Sequence, residues 1–141
     1  MNELVSLVGT IQVLVNDKVV LDKKNLIVQV GKNYLAGAVI NSVSTPFVAM
    51  AIGTGTTAAT TADTALQTEV ARGAFTSSSV STNVVSLSNT FAAGTGTGAI
   101  TEAGIFNNSS TGGIMLSHVV FSAVNKGALD TLTINWTITV G

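Results

Sequence analysis

Residues 130–140 read Asp-Thr-Leu-Thr-Ile-Asn-Trp-Thr-Ile-Thr-Val, and the reading of this stretch decides the fold. Leu132, Ile134, Trp136, Ile138 and Val140 alternate without a break with Thr131, Thr133, Asn135, Thr137 and Thr139. Strict alternation places one set on each face of a β-strand, and a helix cannot use it. Leu132, Ile134, Trp136 and Ile138 are therefore expected in the core. Such side chains contribute roughly 1.5 to 3 kcal/mol each when fully buried, so the strand needs a covering layer. The Trp136 indole N–H needs an acceptor there.

Working outward, residues 84–91 repeat the design, with Val85, Leu87 and Phe91 set against Ser86, Ser88 and Thr90. A long strand is expected from Leu4 to Val15, then a turn at Asn16-Asp17 and a returning arm from Lys18 to Asp22. A further strand follows over 25–30. Tyr34, Leu35, Ala38, Val39 and Ile40 fall at helical spacing, which predicts one short helix over 32–42. After Pro46 a buried strand is expected over 47–52. Residues 53–64 have no apolar period and read as an exposed loop, with Asp63 capping a helical turn through Ala65, Leu66 and Val70. Strands are expected over 72–80, 100–106 and 114–121, with a turn over 123–128.

About eight strands separated by Gly, Ser, Thr and Asn turns describe an all-β domain, a sandwich or a small barrel. An antiparallel jelly-roll-like β-sandwich is the expected form. The chain of 141 residues suits one domain over 1–141, with the hairpin and helix at 1–45 and the main sheet at 46–141. The hairpin edge is expected to be open for strand addition, and loss of residues 1–22 to leave the sandwich folded. Along it, Val5, Leu7, Ile11, Val13, Val19 and Leu21 are the candidate interface.

Charged residues make up 9% of the chain, against about 25% in a typical domain, and the net charge is −1. So weakly charged a surface favours association with copies of itself or with a partner. The six basic residues form no run and aromatics are 5%, so nucleic acid is not an expected partner. Cysteine is absent, which removes disulfides and thiolate metal sites. Met1-Asn2-Glu3-Leu4 lacks the features of a signal peptide, and no apolar run reaches the ~18 residues of a membrane span. Synthesis in the cytoplasm, without membrane attachment, is expected.

No catalytic, metal or cofactor site stands out. Gly53-Thr54-Gly55-Thr56 and Gly94-Thr95-Gly96-Thr97-Gly98 lack the Lys-Ser/Thr and the spacing of phosphate-binding loops and read as turns. His118 is the only histidine and is expected at a surface or interface. Buried in a subunit contact, it would make assembly pH-sensitive. Glu69 and Arg72 sit three apart, as in one helical turn, and Glu102, in a mostly apolar strand, needs a partner. Arg72, the only arginine, is the expected partner, so Arg72, Glu102 and Glu69 are read as a structural group.

The succession Gly-Thr-Gly-Thr-Thr, Ala62-Asp63-Thr64-Ala65-Leu66, Glu69-Val70-Ala71-Arg72, Ile100-Thr101-Glu102-Ala103-Gly104-Ile105-Phe106, Gly112-Gly113-Ile114-Met115-Leu116 and Asn125-Lys126-Gly127 before the last strand resembles small virion structural proteins of tailed bacteriophages. These are described as head decoration, head-fibre or tail-associated proteins. The resemblance implies a non-enzymatic structural role, without cofactors, on the outer surface of the virion. A capsid decoration or cement protein is the first expectation, a trimer bound to the phage major capsid protein. A tail, collar or fibre component, contacting tail or portal-proximal proteins, is the alternative. Ser117-His118 stands where the resemblance leads one to expect a basic residue after the Met-Leu pair.

Overall fold

The computed structural model describes residues 5–43 and 45–141. The expected strand start at Leu4 and the N-terminal Met1 to Glu3 lie outside them. In chain order the elements are β1 (Leu7–Val15), β2 (Lys18–Ile27), α1 (Gln29–Ala38), β3 (Ala49–Gly53), β4 (Glu69–Ala74), β5 (Ser77–Ser81), β6 (Val84–Phe91), β7 (Gly98–Phe106), β8 (Met115–Lys126) and β9 (Leu132–Val140). The molecule is mostly β with one helix: nine antiparallel strands form a single curled sheet, a half-barrel, in the order β4-β3-β7-β8-β2-β1-β9-β6-β5.

The curl has a local cause. β2 pairs with β1 as far as Asn25, then hands over to β8 through Leu26 and Ile27 alone. The sheet turns at that handover. At the opposite margin β4 returns toward β6, where the Asn89 side-chain amide donates to the Gly73 carbonyl at 3.0 Å. Residues 72–80, expected as one strand, are two: after Ala74 the chain leaves β3, and Thr76 N–H donates to Ser88 of β6. The expected turn over 123–128 is displaced likewise, because β8 keeps its pairing with β7 out to Gly98↔Lys126.

Inside the curl lies one core, in which Leu132, Ile134 and Trp136 are fully buried beside Ile11, Val13, Ile52, Ile100 and Ile105. The Trp136 indole N–H has no acceptor within hydrogen-bond reach, contrary to expectation. A smaller cluster of Val28, Ala51, Leu66, Phe106 and Met115 occupies the other face of β3 and β7.

Two expectations about the N-terminal hairpin are corrected. β1 is held between β2 and β9, so removing residues 1–22 would take out an interior strand, while the outer side of β2 keeps an unpaired edge over 18–25, as expected of the hairpin. The strand order ends at β4 and β5. Ile11 and Val13 are 1% and 0% exposed, which makes them core and not interface. Val5 and Val19 are exposed, while Leu7 and Leu21 are partly buried against the core.

The helix begins three residues before the predicted 32–42 and stops at Ala38. Val39 and Ile40, which suggested its continuation, are exposed, and Asn41 adopts a positive φ of 55° beyond the end. Val28, at the N-cap, has no side-chain acceptor to offer, and the loop carbonyl of Thr61 takes the Gln29 N–H at 2.8 Å instead. Gly31 lets α1 seat on β8: a Cβ there would lie 2.6 Å from the Leu116 carbonyl oxygen.

Candidate functional site

The feature that stands apart chemically is a chain of three titratable side chains beneath the segment 54–68. Glu102 on β7 and His118 on β8 are both fully buried. Gly104 is opposite His118 and Val120 opposite Glu102, so the two side chains are diagonal neighbours on one face of the sheet. That face is turned from the main core, since Ala103, Ile105 and Val119 fill the other. His118 Nε2 lies 2.9 Å from Glu102 Oε1, and His118 Nδ1 lies 2.7 Å from Asp63 Oδ2.

Glu102 gathers both ends of the segment. The Gly55 N–H donates to its Oε2 at 2.8 Å, the Thr68 N–H to the same oxygen at 2.8 Å, and the Gln67 N–H to Oε1 at 2.9 Å. Thr101, next along β7, donates its hydroxyl to the Gly55 carbonyl at 2.6 Å. Glycine at 53 and 55 permits the approach, because a Cβ at either position would lie within 2.7 Å of Glu102 Oε2. Asp63 holds the middle of the segment: its carboxylate accepts from the Thr60 N–H at 2.8 Å and the Thr60 hydroxyl at 2.9 Å.

These bonds set the acidities. Burial by itself raises the Glu102 carboxyl, but the N–H groups of Thr68 and Gln67, then His118 and the Gly55 N–H, outweigh it and bring Glu102 below the usual glutamate value. Asp63 follows the same balance: burial raises it, and Thr60 and His118 together lower it further than burial lifts it. Both groups are ionised at neutral pH.

The structural group read from the sequence divides. Arg72 and Glu69 form a two-pronged ion pair, with distances of 2.7 and 3.1 Å. Arg72 also lies 3.9 Å over the Phe106 ring and donates to the carbonyls of Asn108 and Gly112, which pins the turn before β8. Glu69 lies on β4, not on a helical turn. The expected Arg72–Glu102 pair does not form; Glu102 takes His118 as its partner. His118, expected at a surface, is buried. Asp63 caps no helix and faces His118. The signal that was available for these residues was the lone histidine in an alternating strand, with a carboxylate in the strand before it.

Lys126 repeats the device at the second Gly-Thr loop. It is 1% exposed, and its ammonium group donates to the Ala92 carbonyl at 2.9 Å. Among the described residues no cluster of His, Cys, Asp or Glu has the arrangement of a metal site, and no helix is long and apolar enough to cross a membrane. No protein-family model matches the chain, and no curated protein or solved structure is similar to it. Fold and site together define a class, a mostly β half-barrel whose buried charges fasten its loops.

Proposed function

We propose that this chain is a non-enzymatic structural protein of a tailed-phage virion, a capsid decoration protein that binds the assembled shell and stabilises it. The observation that carries the reading is the use of charge. Glu102, His118 and Lys126 are buried and bound to loops, whereas β5, β6 and β9 carry no charged residue at all. Their outward positions are hydroxyls and amides, such as Ser86, Ser88, Thr133, Asn135 and Thr137. A broad uncharged surface suits many weak contacts, repeated by symmetry over a lattice. A protein that binds the lattice and not the free capsid subunit stabilises the shell by mass action.

In this reading the two halves of the curled sheet act as the layers of a jelly-roll-like sandwich, and the chain works as a trimer on the major capsid protein. The resemblance to tail-associated virion proteins supports the second reading, a tail component. Immunogold labelling of intact virions distinguishes the two. Label over the head is the expected result. Label confined to tail or neck would move the assignment to the second reading, and virions without label would remove both.

A further inference from the structure

We infer that Asp63, His118 and Glu102 form a two-stage, proton-controlled clasp on the segment 54–68, whose first stage releases the Asp63 carboxylate from the ring while the ends of the segment stay fastened. The inference does not depend on where in an assembly the protein sits. It begins from the ring, whose two nitrogens lie 2.7 and 2.9 Å from carboxylate oxygens. An ionised carboxylate only accepts hydrogen bonds. Both nitrogens must therefore donate, and the closed clasp contains an imidazole with both protons.

Removing one proton turns a ring lone pair toward a carboxylate, and the two carboxylates respond differently. Glu102 is fully buried and has no water to turn to, whereas the Asp63 side chain is 23% exposed. The remaining proton stays on Nε2 beside Glu102, and Asp63 swings outward. The Thr60 N–H and hydroxyl, whose bonds end on that carboxylate, register the change, while the Thr61 carbonyl keeps the Gln29 N–H. Gly55, Gln67 and Thr68 keep their common acceptor. Acid acts at the other stage. Protonating Glu102 weakens the acceptor of all three N–H groups together, and both ends of the segment come free.

The charges nearest the ring come from three further elements. From β2, Lys23 and Lys24 line a cleft of about 410 Å³ whose lining includes Thr56, Ala58, Ala59 and His118. Lys23 donates to the Val120 carbonyl. From α1 the charged side chain is Lys32, which lines the groove against β1 instead. β4 supplies Glu69 and Arg72, which are paired with each other.

The test is a pH series of nitrogen NMR on the whole protein labelled in histidine and in the backbone. His118 is the only histidine, so its ring signals need no disentangling. At pH 7 both ring nitrogens are expected to carry protons. Raising the pH should remove the Nδ1 proton and move the Thr60 amide signal with the same midpoint, while the amides of Gly55, Gln67 and Thr68 hold. Lowering it should move those three together. In Asp63→Asn the alkaline step at Thr60 should vanish and the acid step remain. A ring with one proton at pH 7, four amides moving together on the alkaline side, or an alkaline Thr60 step that survives Asp63→Asn would each overturn the inference.

Discussion

Glu102 is the residue on which a single substitution tells most. Glu102→Gln keeps the shape but puts an amide donor where backbone N–H groups already point, and it leaves His118 without its buried counter-charge. Breaking a buried pair in this way costs about 3–5 kcal/mol. Urea unfolding of the variant should show a loss of that size, and an unchanged midpoint would mean that the bonds contribute little net stability. Trp136 makes the opposite case. Its buried indole N–H is unpaired, and an unmet donor costs about 1–3 kcal/mol. Trp136→Phe removes that penalty along with some packing, so its stability should lie within about 1 kcal/mol of the parent. Trp136→Ala, which only opens a cavity, should cost about 3–5 kcal/mol by the same measurement. That Glu102 needs a partner was legible in its apolar strand. Which partner it takes was not, because His118 lies 16 residues further along and meets it only across two paired strands.

At the scale of elements, α1 rests on β8 through a glycine. Gly31→Ala gains about 1 kcal/mol of helix propensity. Its Cβ, however, would sit 2.6 Å from a backbone oxygen and 2.7 Å from the Leu116 Cα, atoms that cannot turn aside. The variant should be destabilised, with about 1–3 kcal/mol of overpacking set against the propensity gain, and its melting temperature should fall. Strands were easier to foresee than this helix. The alternation in residues 84–91 and 132–140 is a local property, and both spans form strands. Val39 and Ile40 continued the apolar spacing of the helix, yet nothing packs over them. Their exposure follows from where the chain must turn to reach β3. Residues 72–80 kept a strand-like composition across a change of partner, and composition does not register a change of partner.

For the whole molecule the consequence is a defined acid response. Asp63 and Glu102 are lowered in the folded state, so they bind fewer protons there than in the unfolded chain. Their stabilisation is complete above the unfolded carboxylate range of about pH 4 and is lost as pH falls through the lower folded values. Urea midpoints should decline below about pH 4. In Glu102→Gln the decline should be shallower, because one of the linked protons is gone; equal slopes would place the acid sensitivity elsewhere.

What the sequence determined by itself was the class of structure. Period-two alternation and turn residues act over a few neighbouring positions, and they are enough to make strands and to set which face is apolar. The order of those strands was decided only in the tertiary structure. β1 lies between β2 and β9, with Ile11 opposite Trp136, a pairing that depends on closing a chain of more than a hundred residues. The clasp belongs to the same level. A lone histidine and two carboxylates from separate segments become one charge chain only when the curl of the sheet lays the segment 54–68 over β7 and β8, and no local pattern encodes that contact.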